Sequence, residues 1–197
     1  MGYAREVPAE PAPRLPVAPD AYLELDRSSA DKHELWDGSA YAKTGASLAH
    51  NRLVRNLLVS LSRALEGKDC EVFPSDLRVR IPDRARYLYP DLSVVCGPPQ
   101  LEDERGDTLL NPRVVIEVLS ASTEAFDRGQ KFEAYRELPS LVEYVLVAQD
   151  AARVDHFSLD AERGVWALHP YAREDTLRFP TLGVEVPLAV IYAGVLG

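Results

Sequence analysis

The 197-residue sequence has few cysteines, no long apolar run and no excess of basic residues, and each absence excludes a class of protein. The two cysteines, Cys70 and Cys96, are too few for a disulfide framework, and without a CxxC pair they do not indicate a zinc site. We expect both to be small core residues in a reducing compartment. No apolar stretch approaches the about 18 residues that a membrane helix needs. The N-terminus also lacks a signal-peptide pattern, so we expect a cytoplasmic protein.

The charge balance is acidic, with 31 acidic and 22 basic residues and a formal net charge of −9. This balance argues against broad electrostatic binding of nucleic acid, which normally requires a basic surface. It is still compatible with a local basic groove, or with metal ions that screen a cluster of carboxylates. Charge alone therefore leaves the function open.

Composition divides the chain into a short arm and one domain. Residues 1–19 contain five prolines and no periodic apolar pattern, which predicts a flexible extended arm. Residues 20–197 are long enough, and apolar enough, to form a single domain with a complete core.

The pattern of elements predicts an α/β fold. Asp37-Gly38 between two short runs indicates a hairpin turn, and helical periodicity appears over residues 47–65 and 123–138. Short apolar or alternating runs predict strands at 71–73, 76–81, 91–96, 113–119, 142–147, 153–159 and 165–169, and the apolar tail 182–196 predicts a final strand. This order favours a mixed β-sheet flanked by helices, with added β-hairpins.

Two carboxylates stand out because they lie on apolar strands. Asp91 begins one such run, and Glu117 interrupts another that is apolar on both faces, as a central strand is. A buried carboxylate is costly unless it is paired or binds a cation, and two of them are a minimal ligand set for Mg²⁺. The alternatives are a structural ion pair of Glu117 with Arg78 or Arg113, and a turn role for Asp91.

Two other polar residues lie on apolar helix faces. His50 falls in the stripe of leucines that begins at Leu53, so it is expected to point toward the sheet. Lys131 is central in a stripe with Ala134 and Tyr135. The alternatives are a hydrogen-bonded core histidine and a lysine whose stem covers apolar surface. An ammonium beside two carboxylates would instead solve the burial problem of all three groups.

Three segments carry a resemblance to a known family. They read HELWDGSAYAKTGASLAHNRLVRNL, YPDLSVVCG and VVIEVLSASTEAFDRGQKFEAYRELPSLVEYVLV. Residues 20–160 resemble the Uma2 (DUF820) family of restriction-type endonucleases. The resemblance implies a restriction-endonuclease-like α/β fold of the PD-(D/E)xK nuclease type.

The resemblance also implies roles for particular residues. Pro90-Asp91 matches the PD of the motif and Glu117 matches its second acid. The usual motif lysine would stand two positions after that acid, where this chain has Leu119. In the family the lysine comes from the following helix, and Lys131 matches it.

Further positions complete the implied site. Glu34 and His50 match polar positions of the family pattern. Asp91 and Glu117, with the main-chain carbonyl of Val118 and with Glu34, would hold Mg²⁺ or Mn²⁺. Lys131 would orient or deprotonate the attacking water, and His50 would contact the phosphate or assist proton transfer.

The implied activity is metal-dependent hydrolysis of DNA phosphodiester bonds. One alternative is a non-catalytic DNA- or protein-binding module on the same fold, which Leu119 and the acidic charge favour. The retained Asp91, Glu117 and Lys131 oppose it. Another alternative is a nuclease acting on RNA. Because one active site cuts one strand, double-strand cleavage would favour a homodimer or a higher homo-oligomer.

Overall fold

A computed structural model of the chain describes residues 15–43, 45–82 and 86–196. Helices separate groups of consecutive strands along this part of the chain, and the strands form two six-stranded sheets and one two-stranded ribbon. Each six-stranded sheet contains one parallel pair among antiparallel pairs, so both are mixed. The predicted α/β class is confirmed. Within the described ranges, no helix is long and apolar enough to cross a membrane.

The helical elements occupy both halves of the chain. The α-helices among the described residues are α1 (Pro19–Ser28), α2 (Leu48–Ala64), α3 (Glu124–Phe126), α4 (Phe132–Tyr135) and α5 (Leu188–Ile191). A π-helical turn, Asp127–Lys131, joins α3 to α4. The predicted second helix is therefore not regular, and π-helical turns often mark functional sites.

The strands range from two to eight residues in length. In chain order they are β1 (Leu15–Pro16), β2 (His33–Trp36), β3 (Ser39–Ala42), β4 (Cys70–Pro74), β5 (Arg78–Ile81), β6 (Arg86–Leu88), β7 (Leu92–Cys96), β8 (Thr108–Leu109), β9 (Val114–Val118), β10 (Glu143–Val147), β11 (Arg153–Asp160), β12 (Val165–Ala172), β13 (Thr176–Phe179) and β14 (Val184–Pro187). One sheet has the order β1-β3-β2-β6-β5-β8, and the other has the order β12-β11-β10-β9-β7-β4.

The hairpin β2–β3 forms as predicted. Asp37 and Gly38 both adopt positive φ, at 47° and 76°. A two-residue turn with two positive φ values has the twist that antiparallel strands require, and Gly adopts that conformation without a steric cost.

Helix α2 covers one face of the sheet β12-β11-β10-β9-β7-β4. Its N-cap is Ser47, whose Oγ accepts a hydrogen bond of 3.0 Å from the His50 N–H. Leu53, Leu57 and Leu61 are fully buried in the core beneath it. The predicted apolar stripe therefore sets which face of α2 is turned inward, and His50 lies at the N-terminal end of that face.

Strand β9 is central in its sheet, between the parallel β10 and the antiparallel β7. Val114, Ile116 and Val118 belong to the core cluster under α2. Val115 and Leu119 belong to the cluster on the opposite face, with the second helical segment. This alternation confirms the predicted face assignment. The side chain of Glu117 therefore lies on the face that packs against the π-helical turn and α4.

Some boundaries differ from the prediction. Residues 1–14 of the predicted arm lie outside the described residues, but Leu15–Pro16 pairs with β3 and Pro19 begins α1. Regular structure is thus present before residue 20. The tail forms β14 and then α5, not a strand alone. Strands β6, β8 and β13 were not predicted, because two to four residues carry too little periodicity.

The expectation for the cysteines was wrong. Cys70 and Cys96 form a disulfide. They are directly opposite each other on the antiparallel strands β4 and β7. This register brings the two cysteines together although they are 26 residues apart in the sequence. Such a separation does not by itself indicate that two cysteines pair. Disulfides are more usual in oxidising compartments than in the cytoplasm.

Candidate active site

The two predicted acids lie side by side at one end of the central strands. Asp91 immediately precedes β7, and Glu117 lies on β9. In the antiparallel register Leu92 is opposite Ile116, which places Asp91 next to Glu117. Both acids line one cavity of about 230 Å³. The sheet topology therefore brings together carboxylates that are separated by a long loop in the sequence.

Asp91 is held by donors on three sides. His50 Nε2 lies 3.0 Å from Oδ2, the Val118 N–H donates to the same oxygen at 2.8 Å, and Lys43 Nζ lies 3.5 Å from Oδ1. Burial favours the neutral acid, but the hydrogen bonds and positive charges outweigh it and lower the pKa of Asp91 to about 2. Asp91 is therefore an anion at neutral pH.

Glu117 pairs with Lys131 inside the protein. Lys131 Nζ lies 2.9 Å from Glu117 Oε1, and the two residues are 5% and 3% exposed. The Tyr135 hydroxyl donates to the same oxygen at 3.2 Å. The inward direction predicted for Lys131 is confirmed, and the ammonium group lies among acids, not at the surface.

Burial governs the protonation of this pair. It raises the pKa of Glu117 to about 8, with Lys131 opposing the rise and Asp91 and Asp127 adding to it. Burial also disfavours the ammonium form of Lys131, but Glu117 and Glu34 outweigh it and raise the pKa of Lys131 well above its usual value. Lys131 thus keeps its charge, while Glu117 holds its proton more tightly than a solvated carboxyl does.

Two further acids surround Lys131. Its Nζ lies 3.5 Å from Glu34 Oε1 and 3.6 Å from Asp127 Oδ1. Glu34 Oε1 also accepts a hydrogen bond of 2.8 Å from the Tyr89 N–H, so it ties β2 to the segment before Asp91. Sequence reasoning missed Asp127. Its signal was the spacing of four residues from Lys131, which places both on one helical face.

Glu117 pairs with Lys131 and not with Arg78, one of the two arginines considered as its partner. Arg78, one candidate partner, instead contacts Asp26 and Asp107 at 2.5 Å each. Leu119, at the usual position of the motif lysine, is buried in the apolar cluster with Val115. The positive charge beside Glu117 is therefore supplied from the π-helical turn.

Lys43 also lines the cavity and was missed by sequence reasoning. It directly follows β3, and its Nζ donates to the Tyr89 carbonyl at 2.6 Å as well as lying near Asp91. An isolated lysine after a strand has no periodic signal. Only the packing of the hairpin against the segment that holds Asp91 indicates its role.

The donor set suits a hard divalent cation. Asp91, Glu117 and the Val118 carbonyl supply oxygen only, and both carboxylates border the same cavity. The described residues contain no group of three His, Cys, Asp or Glu side chains arranged to hold a metal. Mg²⁺ commonly uses one or two carboxylates and completes its shell with water and substrate phosphate, so this set fits Mg²⁺ better than zinc.

Comparison with solved structures identifies the class of fold. A crystal structure described as a putative nuclease belonging to DUF820, from Anabaena variabilis, matches 92% of this chain and 100% of that chain, with a TM-score of 0.75 and 15% sequence identity. The mixed α/β fold is therefore shared with that DUF820 structure.

Sequence comparison then identifies the family. The sequence model of Uma2, described as "Putative restriction endonuclease", matches residues 19–190, and the chain belongs to this family. An uncharacterized protein of Synechocystis sp., slr1290, is 36% identical over 188 residues, which cover 95% of this chain and 96% of that protein. A second one, sll1609, is 37% identical over 142 residues, or 72% and 80% of the two chains.

Proposed function

We propose that this protein is a metal-dependent endonuclease that hydrolyses DNA phosphodiester bonds. One observation carries the proposal: two adjacent buried carboxylates, Asp91 and Glu117, share a cavity with the buried ammonium group of Lys131. A solely structural site would gain little from so many buried charges, because each is costly to desolvate. Membership of the Uma2 family supports the same activity.

Asp91, Glu117 and the carbonyl of Val118 would hold Mg²⁺ or Mn²⁺, with Glu34 adjacent. When bound, such a cation lowers the pKa of a coordinated water and neutralises charge on the phosphate. Asp91 is already ionised and is oriented by the Val118 N–H. Asp91 is therefore preorganised to bind a cation.

The protein's own groups supply the remaining functions. Lys131 keeps a positive charge inside the cavity, where it can orient the attacking water or stabilise charge that develops on the phosphate. His50 fixes Asp91 through Nε2 and also lines the cavity, so it is near enough to contact a phosphate or carry a proton.

A neighbouring cavity connects with the acidic cavity and offers a path for the substrate. A cavity of about 330 Å³ shares Lys43, His50 and Asp91 with the acidic cavity, and Lys32 and Asn51 also line it. Here the lysines supply the positive charge that a phosphate backbone requires. Asp31 and Asp91 line the same cavity, so its charges are balanced, and a phosphate there would contact the lysines beside these acids.

The test is cleavage of supercoiled plasmid in Mg²⁺ or Mn²⁺. We expect nicking by the wild type and its loss in Asp91→Asn, which keeps the side-chain shape but removes the charge. Asp150→Asn, at an exposed aspartate, is the matched control and should cut normally. Tight plasmid binding without cleavage would instead favour a non-catalytic module, and cleavage restricted to RNA would contradict a DNA substrate.

We also propose that double-strand cleavage, if observed, is performed by a homodimer, because one site cuts one strand. Light scattering of the full chain, with and without duplex DNA, measures this directly. A monomer that makes double-strand breaks at a single encounter would contradict the proposal.

A further inference from the structure

A second, larger cavity adjoins the acidic one. Its volume is about 680 Å³, within the range of sites that enclose a small organic ligand. The two cavities share four lining residues: Glu34, Ser122, Thr123 and Phe126. A group bound in the larger cavity would therefore lie next to a phosphate bound at Asp91 and Glu117.

We name this cavity the aromatic chamber, after the rings of Trp36, Tyr41 and Phe126 that line it. The ring centroids of Trp36 and Phe126 are 4.8 Å apart, with an interplanar angle of 68°. Flat rings at the edge of a cavity offer surfaces on which another flat ring can stack. The chamber thus has the aromatic character of a stacking site.

The Trp36 ring is held in place by a charged clamp. The guanidinium carbon of Arg86 lies 3.7 Å from the centroid of the Trp36 ring. The same guanidinium donates two hydrogen bonds to Asp37, at 2.8 and 3.0 Å. Because Arg86 is neutralised by Asp37, it stiffens the ring without making the chamber basic. A fixed ring loses little entropy when a ligand stacks on it.

The polar groups of the chamber suit a base better than a phosphate. Among the described residues that line it there is no Lys or Arg, whereas Glu34 and Asp37 are acidic. Ser39 and Gln130 add neutral hydrogen-bonding groups. A phosphate would find no lining Lys or Arg to bind it here, whereas the uncharged edge of a nucleobase would find donors and acceptors.

We propose that the aromatic chamber binds one unstacked nucleobase next to the phosphodiester that is cut. The preferred substrate is then single-stranded or locally opened DNA, because a base inside an intact duplex cannot reach a pocket without leaving its stack. The inference rests on the proposed nuclease function for the position of the scissile phosphate, but its own test measures binding and not cleavage.

The test uses the full chain and single-stranded DNA of about 15 nucleotides, with Ca²⁺ in place of Mg²⁺ to prevent cleavage. Abasic sites are introduced at each position in turn, and affinity is measured by fluorescence anisotropy. We expect loss of one base to weaken binding about 5- to 150-fold, the range for one base–aromatic stack. A 2-aminopurine at that position should be quenched on binding.

Variants assign the effect to the chamber. Phe126→Ala should remove both the position dependence and the quenching, and Phe126→Tyr should restore them. Tyr41→Leu is a second test if Phe126→Ala is unstable. Leu168→Ala changes an exposed apolar residue on β12, outside the chamber, and should behave as the wild type.

The outcomes separate the two proposals. Normal DNA cleavage with equal affinity for every abasic oligonucleotide would overturn the chamber and leave the nuclease standing. Position-dependent binding without metal-dependent cleavage would support the chamber and overturn the nuclease. Position dependence that survives both Phe126→Ala and Tyr41→Leu would place the base elsewhere and overturn the chamber.

Discussion

Lys131 Nζ lies 2.9 Å from Glu117 Oε1, and both side chains are almost completely buried. Neither charge would be tolerated alone at this depth, so each offsets the desolvation of the other. Glu34 and Asp127 also contact the ammonium group, so acids outnumber bases around it. Because burial raises the pKa of both Glu117 and Asp127, a divalent cation bound here would favour the ionised forms of these acids.

Lys131→Met is the most direct test of this relationship. The change keeps the apolar stem and removes the charge. We expect the nicking rate to fall about 10²–10³-fold, the usual effect of losing one electrostatic contact in a transition state. Mn²⁺ affinity, measured by calorimetry, should rise, because the Lys131 ammonium no longer competes with the cation for Glu117.

Lys68→Met is the matched control, since Lys68 is an exposed lysine on the turn after α2. It should leave both rate and affinity unchanged. If Lys131→Met has the wild-type rate and the wild-type Mn²⁺ affinity, Lys131 has no part in the mechanism.

His50→Ala tests the group that orients Asp91. The variant removes the 3.0 Å contact from Nε2 to Oδ2 and leaves the Val118 N–H in place. We expect a loss of about 10- to 100-fold in metal affinity or cleavage rate, as for other groups that orient a metal ligand. His169→Ala, at an exposed histidine, should cause no loss. Equal behaviour of the two variants would reduce His50 to a packing role.

Asp26→Ala tests the buried network next to α1. Asp26 accepts hydrogen bonds from Arg78 NH1 and the Tyr89 hydroxyl, both at 2.5 Å. Removing it leaves the buried Arg78 guanidinium paired with Asp107 but takes a hydrogen-bond acceptor from both Arg78 and Tyr89, so we expect a loss of about 1.5–3 kcal/mol in the free energy of unfolding, measured with urea. Glu185→Ala breaks an exposed pair with Arg178 and should cost about 0.2–1 kcal/mol. Similar losses in both would contradict the importance of the buried pair.

Asp107 should make stability depend on acid pH. Hydrogen bonds from Arg27, and then from Arg78, outweigh burial and hold the pKa of Asp107 well below its usual value. Because the folded pKa is lower than the unfolded value of about 3.9, the contribution is complete above that value and is lost as pH falls through the folded pKa. Urea unfolding should therefore show a smaller loss between about pH 5 and pH 2 in Asp107→Asn than in the wild type. Parallel curves for the two proteins would contradict this assignment.

The sequence determined the local features of the molecule. Leucine spacing placed the inner face of α2, alternation placed both faces of β9, and Asp37-Gly38 placed a hairpin turn. The two face assignments follow from periodicities of 3.6 and 2.0 residues, and the turn follows from the positive φ that Gly adopts without a steric cost. The same periodicities directed Lys131 and Glu117 inward, and the quoted family segments indicated the fold.

Which of these groups meet depends on the tertiary structure. Three sets of contacts join separate elements. Asp91 contacts Lys43 and His50, and both Glu34 and Asp127 lie near Lys131. The disulfide joins Cys70 and Cys96. Such contacts depend on strand order and register, which local periodicity does not specify. The short strands and the π-helical turn were also settled by tertiary packing, because a few residues have too little propensity of their own to outweigh their surroundings.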